Sequence, residues 1–514
     1  MNTTMSNNFD FIIIGTGAGG GSLIHRLKDS GKKILVLERG DFLKREIENW
    51  DTKAVFKDQR YHTKEVWKTD NHQDFHPQTG YFVGGNTKVY GAALFRLREK
   101  DFEEIQHSGG ISPKWPLPYS EFEPYYTEAE KLYFVHGKQG EDPTEPPRSE
   151  EYAFPPVSHE PRIQELHDKL KENGYHPFCL PIGVDLVESD PVNSPCIRCN
   201  TCDGFPCMVN AKADSDILNI RPALKENKIQ LLTGAKVTRL LVDETGKVVT
   251  GVEVERDGNT EVYHGDKVVL SAGAINSAII LLRSISEHHP NGLGNSSGLV
   301  GKNLMKHNNA AMLAISTKFN PTRFQKTMAI NDFYFGDKDY SYPMGHVQLL
   351  GKSNKDMLTD DAPFFTPGLV LEEMANHSVD WWFTGEDLPD PNNGVEYKDG
   401  NIHIHYQPNN REGFERLMKK WTDILHKVDE NAHFIPHGVY LKKTIGNEGL
   451  AHQVGTLRFG EDPKTSVLDI HCKFHDLENL YAVDGSFFPS SGAVNPSLTI
   501  IANALRVGDH LLGK

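Results

Sequence analysis

Phe11-Ile12-Ile13-Ile14 is an uninterrupted apolar run near the start of the chain, and its β-branched composition predicts a short strand buried on both faces. Gly15-x-Gly17-x-x-Gly20 follows at once, and Leu23, Ile24 and Leu27 then repeat at helical spacing until Gly31 ends the pattern. A second apolar run, Ile34-Leu35-Val36-Leu37, predicts a parallel neighbour for the first strand and ends in Glu38.

Strand, glycines, helix, strand and acid in this order form one βαβ unit of the kind that binds a dinucleotide. Gly15 lets the chain turn tightly, Gly17 lets backbone N–H groups reach a pyrophosphate, and Gly20 lets the helix pack close to the sheet. Glu38 lies 18 residues beyond Gly20, where a carboxylate accepts hydrogen bonds from an adenosine ribose.

Farther along, Gly80 to Ala93 is dense in small residues that let main chain lie against a flat surface, or that simply make a tight turn. Proline-rich connections mark residues 101 to 195, within which Phe122 to Phe134 reads as an amphipathic helix. Alternating Val and polar residues from Leu231 to Leu270 predict strands, with hairpins at Asp243-Glu244-Thr245-Gly246 and Asp257-Gly258-Asn259. Val268-Val269-Leu270 returns to the first sheet. A second excursion, about 306 to 445, carries Trp381-Trp382-Phe383, and the chain closes through Tyr481-Ala482-Val483. The expectation is an α/β (α+β overall) protein with a discontinuous plan: residues 9–100, 196–305 and 446–514 form a Rossmann-like cofactor domain, and 101–195 with 306–445 a β-sheet substrate-binding domain.

The net charge, 55 minus 70 or −15, excludes nucleic acid as a favoured partner. No run of about 18 apolar residues is present, so no membrane span is expected. The N-terminus lacks a secretory pattern, and a cytoplasmic enzyme is the expectation.

At the C-terminal end, Asn495 and Pro496 suit the N-cap and first position of a helix whose apolar side includes Leu498, Ile501, Leu505, Leu511 and Leu512. That N-terminus, aimed at a flavin's N1–C2=O edge, would stabilise the charge appearing there on hydride transfer; an ordinary capped surface helix is the alternative. His452 stands out among 24 histidines by its place beside Gly455, Thr456 and Gly460, just before the last strand.

GTGAGG at 15–20, GGNTKVYGA at 84–92, GAINSA at 273–278, and HQVGTLRFG with VDGSFFPSSGAVNPSLTIIANALRVGDHL at 452–460 and 483–511 occur in this order. In these segments the chain resembles the glucose–methanol–choline (GMC) flavin oxidoreductases, most closely the branch with a His/Asn catalytic pair, as in pyranose and choline oxidases. The resemblance implies FAD, with Gly15, Gly17 and Gly20 at the pyrophosphate and Glu38 at the ribose. It also implies Gly85, Asn86 and Thr87 beside the flavin, Val237 near the adenine, and Asp484 and Gly485 near the pyrophosphate and ribityl chain. His452 and Asn495 become the catalytic pair, with His452 the base in oxidation of an alcohol group, on a sugar, glycoside or other small alcohol, by hydride transfer to flavin N5. Lys88-Val89-Tyr90 stands where some relatives tether FAD through a histidine, so non-covalent FAD is expected. Ala278 and Phe459 replace a usual proline and a frequent methionine. A non-redox lyase of the same fold is the nearest alternative; an NAD-dependent dehydrogenase or a nucleotide-binding regulator would leave 84–92 and 484–513 unexplained.

Cys196, Cys199, Cys202 and Cys207 approach a ferredoxin spacing, but the last interval is x4 and proline precedes the fourth cysteine. Structural thiols or a disulfide are therefore expected over an iron–sulfur cluster or zinc, and no metal is assigned. Oxygen, a quinone and a redox protein all stay open as electron acceptor. His346, Gln348 and Trp381 suit a sugar site and a packed sheet equally.

Overall fold

A computed structural model describes residues 8–71, 73–77, 79–359, 367–428, 439–444, 446 and 451–514. Residue 445, where the sequence places the end of the substrate-binding half, lies outside the described residues. The expected βαβ unit is present as strand β1 (Asn8–Ile14), helix α1 (Ala18–Leu27) and strand β2 (Ile34–Leu37). β1 and β2 run parallel with Ile12 beside Leu35, and Gln230–Leu232 adds in parallel to the far side of β2. On its other side β1 pairs in parallel with the end of a long strand, Asn259–Leu270, and Leu480–Ala482 joins that strand in turn. Ile12, Ile13, Leu35 and Val36 have no exposed surface, as residues of a parallel sheet covered on both faces require. The start of Asn259–Leu270 leaves this sheet for an antiparallel meander with Val249–Arg256 and Lys236–Val242. Both expected hairpins form there; Asp257 and Gly258 take φ of +50° and +77°, the left-handed pair that matches strand twist.

All five parallel strands end at one edge. Gly15, Glu38, Ser271 and Val483 each come one residue after a strand, so the topology alone gathers their loops.

A second sheet of six antiparallel strands has the order 439–444, 308–315, 378–385, 346–349, 328–330, 177–179. One face packs on helix Arg411–Val428, with the Trp381 and Trp421 ring centroids 4.8 Å apart. A small mixed sheet joins Trp67–Thr69 and Asp74–Phe75 to Gly394–Lys398 and Asn401–His405.

Two helix boundaries differ from expectation. The helix expected over Phe122 to Phe134 spans Tyr119–Leu132. The C-terminal helix is Ser497–Leu511: Pro496 occupies the cap position, Asn495 makes no capping bond, and Leu512 lies beyond the end. No described helix is long and apolar enough to cross a membrane.

Candidate active site

A cavity of about 720 Å³ opens at the carboxyl edge of the parallel sheet and extends to the second sheet. Its size falls in the range of about 300–1,000 Å³ usual for small-molecule and cofactor sites.

Part of the wall is the first glycine-rich turn. Gly15 has φ +100°, and a Cβ there would lie 2.3 Å from the Ser271 carbonyl oxygen, so only glycine fits. Gly17 is different. A Cβ on it would meet nothing within 4 Å, because this residue faces the cavity. It is also the N-cap of α1, with no side-chain cap and no acidic residue in the first turn. The helix N-terminus thus offers uncapped N–H groups and a partial positive charge to the open space, the arrangement that takes a pyrophosphate. Gly20 does not line the cavity; its Cβ would lie 2.1 Å from the Gly15 carbonyl oxygen, which makes it the close-packing glycine behind the turn.

Glu38 is buried at the cavity edge. Its Oε2 accepts from Thr16 N at 3.1 Å and Thr16 Oγ1 at 2.6 Å, and its Oε1 from Gly40 N at 2.9 Å. Burial pushes its pKa up, against these hydrogen bonds. Val237 and Ala235 also line the cavity, and Ala235 N donates to the Glu38 carbonyl oxygen at 2.9 Å.

Gly85, Asn86 and Thr87, which also line the cavity, sit in a 3₁₀ turn, Gly85–Lys88, that lies on Gly17. Asn86 Oδ1 is occupied by Thr79 Oγ1 and Gly80 N, so its side chain braces the turn. Lys88, beneath it, is buried between Asp214 at 3.0 Å and Asp216 at 3.1 Å. Asp484 accepts from Gly273 N, Ser277 Oγ and Ser486 N, which fixes the backbone of Gly485 against the cavity.

The two C-terminal candidates also line the cavity. His452 is held by main chain: Val454 exchanges two hydrogen bonds of 3.0 Å with Met305, and Gly455, at φ +95°, donates to the Gly485 carbonyl. Asn495 Nδ2 stands 3.4 Å from His452 Nε2, and the Asn495 Oδ1 is buried with no partner among the described residues. This is why Asn495 does not cap the helix: its carboxamide points to the imidazole instead. His452 is drawn well below the ordinary histidine pKa by burial first, then by His307 and Lys326. Its ring is therefore neutral at pH 7.

Of the remaining wall, sequence reasoning named Gln348 but missed Trp382, Asp203 and Lys326. Trp382 and Gln348 are cross-strand partners facing the cavity, while Trp381 and Leu349, one residue out of phase, face the core. The alternation along Trp381-Trp382-Phe383 was the available signal. His346 is buried, bonded to Asn331 and Gln348. The loop carrying four cysteines contributes Asp203 to the cavity, ion-paired with Lys326 at 3.0 Å. All six cysteines are free thiols, so no disulfide joins that loop. Burial pushes Cys196 up to about 11 and Cys202 up to about 12, and Cys207 Sγ accepts from Ala211 N and Lys212 N. No group of three or more His, Cys, Asp or Glu among the described residues is arranged to hold a metal ion.

Two family models, both described as GMC oxidoreductase, match residues 3–309 and 391–504. The chain belongs to the GMC oxidoreductase family. Among relatives of this GMC protein, 6'''-hydroxyparomomycin C oxidase of Streptomyces lividus is 30% identical, covering 99% of this chain and 93% of that one. Paromamine 6'-oxidase of Streptomyces fradiae is 29% identical over 98% and 91%. Pyridoxine 4-oxidase from Mesorbium loti superposes with a TM-score of 0.68 at 17% identity, over 98% of this chain and 99% of that structure. This GMC member is an FAD-dependent oxidoreductase of alcohol groups. The residues fit that cofactor: an uncapped helix N-terminus at Gly17, a buried acceptor at Glu38, and a second uncapped N-terminus at Ser497 share one cavity.

Proposed function

We propose that the chain oxidises a hydroxyl-bearing carbon of a sugar or glycoside, with His452 as base and Asn495 as the group that aligns the hydroxyl. The observation that carries this reading is the Asn495 carboxamide set 3.4 Å from the neutral His452, its buried Oδ1 without a partner among the described residues, with both residues lining the cavity. A buried polar atom left without a partner is costly, and one kept at a cavity wall is there for a ligand. FAD, when bound, supplies the acceptor for two electrons as hydride.

The chain's own residues do the rest. The substrate hydroxyl proton goes to His452 Nε2, while Asn495 Nδ2 donates to the same oxygen and holds the carbinol C–H in line. Loss of that proton and a hydride leaves a carbonyl product. The N-terminus of Ser497–Leu511 lends positive potential where charge accumulates. Trp382 gives a sugar ring an apolar face, and Gln348, Asp203 and Lys326 surround it with donors and acceptors. The relatives named as oxidases of paromamine and hydroxyparomomycin support a glycosidic substrate.

We assign cofactor binding to 9–100, 196–305 and 446–514, which carry the parallel sheet, and substrate binding to 101–195 and 306–445, which carry the antiparallel one. An anaerobic screen of sugars, amino-sugar glycosides and simple alcohols tests the proposal: polyhydroxylated compounds should bleach the flavin. Bleaching by simple alcohols only would refute the substrate class, and no bleaching by any alcohol would refute the reaction. Peroxide released on admitting air identifies oxygen as acceptor.

A further inference from the structure

We infer that His307 is a positioning residue that fixes the tautomer of His452, and so decides which imidazole nitrogen takes the substrate's proton. The inference rests on the reading of His452 as the base.

His307 is 2% exposed, and its Nε2 lies 3.2 Å from the Ser491 carbonyl oxygen. A carbonyl only accepts, so Nε2 carries the hydrogen. Burial lowers the pKa of His307, against the pull of Asp387 and Glu386, and the neutral ring then has a bare Nδ1. That atom is 2.9 Å from Nδ1 of His452. Two lone pairs do not share a contact of this length, so the Nδ1 of His452 carries its hydrogen and donates. Nε2 of His452 is left bare, toward the Asn495 amide nitrogen. One assignment satisfies all three contacts; the reverse sets a lone pair against the Ser491 oxygen and leaves His452 Nε2 a donor with no proton capacity.

The support is rigid. His307 sits at φ +65°, and its backbone N–H donates to Asp387 Oδ1 at 2.9 Å. Ser491 Oγ donates to the same carboxylate oxygen at 3.2 Å, while Lys306 N and Tyr406 OH hold Oδ2. One carboxylate thus places both the imidazole and the carbonyl that orients it. The two rings meet edge-on, at 85° with centroids 5.0 Å apart. When His452 accepts a proton at Nε2, its Nδ1–H keeps the same acceptor, so no rearrangement accompanies the step. The charged groups around the pair are Lys326 toward His452, and Asp387 and Glu386 toward His307, with Glu386 itself 3.0 Å from His107.

The test uses the FAD-loaded wild type with His307→Leu, His307→Asn and His452→Ala. Anaerobic flavin bleaching is followed across pH by the most effective alcohol of the screen. His307→Leu should lower the limiting rate by about tenfold or more, the scale of a stranded buried donor, at unchanged half-saturation, with its acid limb displaced from that of wild type. His307→Asn places an amide oxygen near the Nδ1 position and tolerates a positive φ; it should restore most of the rate. A wild-type rate and pH profile in His307→Leu, with His452→Ala slow, overturns the role of His307 alone. A normal rate in His452→Ala removes the base and this inference with it. Should His307→Leu not fold, ¹⁵N spectra of ring-labelled wild-type holoenzyme decide: the resonances lost in His452→Ala should show a protonated Nδ1 and a bare Nε2, and the opposite tautomer overturns the inference.

Discussion

Gly17→Ala separates what the glycine-rich turn does for folding from what it does for the cofactor. Gly17 has φ −65° and ψ −163°, which alanine also adopts, and nothing lies within 4 Å of the added methyl. Alanine restricts the unfolded chain, a gain of about 0.4–1 kcal/mol, against a loss of similar size at a helix N-cap. The apo-protein should therefore melt within a few degrees of wild type. The methyl instead occupies space in front of uncapped N–H groups. Displacing a pyrophosphate from two such charge-assisted hydrogen bonds, at about 1.5 kcal/mol each, weakens binding by about 150-fold. Fluorescence titration of apo-protein with FAD measures this, beside a thermal melt without FAD. Gly15→Ala is the control, since its Cβ would lie 2.3 Å from the Ser271 carbonyl oxygen and the apo fold itself should suffer. Unchanged FAD affinity in a well-folded Gly17→Ala protein would refute the placement of the pyrophosphate.

Glu38→Gln keeps shape but replaces one acceptor oxygen by a donor facing Thr16 or Gly40; FAD affinity should fall by about 10-fold or more, and an unchanged titration would remove Glu38 from the ribose site. Acid should unfold the protein through its buried neutral imidazoles: burial takes His346 down to about 3 and His159 to about 4. Because the unfolded chain protonates them near pH 6.5, their contribution is complete above that pH and is lost as the pH falls toward the folded values, at about 1.4 kcal/mol per pH unit for His346. Denaturant melts between pH 7 and 4 that show no loss of stability would contradict this.

The nucleotide half of the site was legible because its signal is local. A βαβ unit places Gly15, Gly17 and Glu38 within about thirty residues, and strand ends bring them to one edge. The two hairpins after Leu231 were equally legible, since each turn needs positive φ that Gly246 or Asp257-Gly258 supplies. The substrate half was not. Trp381 and Trp382 are chemically identical, and a phase of one residue along the strand decides which reaches the cavity. His307 lies 145 residues from His452, and the carboxylate that places it is 80 residues farther along the chain. No periodicity encodes such a meeting. The helix start was misplaced for a related reason: Asn495 has the composition of a cap, but the imidazole opposite it takes its side chain away from the helix.

The central claim is that His452 takes a hydroxyl proton while the same carbon loses hydride. Anaerobic single-turnover bleaching with a substrate deuterated at the carbinol carbon, in wild type and His452→Ala, tests it most directly. The account predicts a clear deuterium slowing in wild type, and in His452→Ala an intact flavin spectrum with bleaching slower by about 100-fold or more. Equal rates in the two proteins, or a flavin left oxidised by every hydroxylated compound, would contradict it.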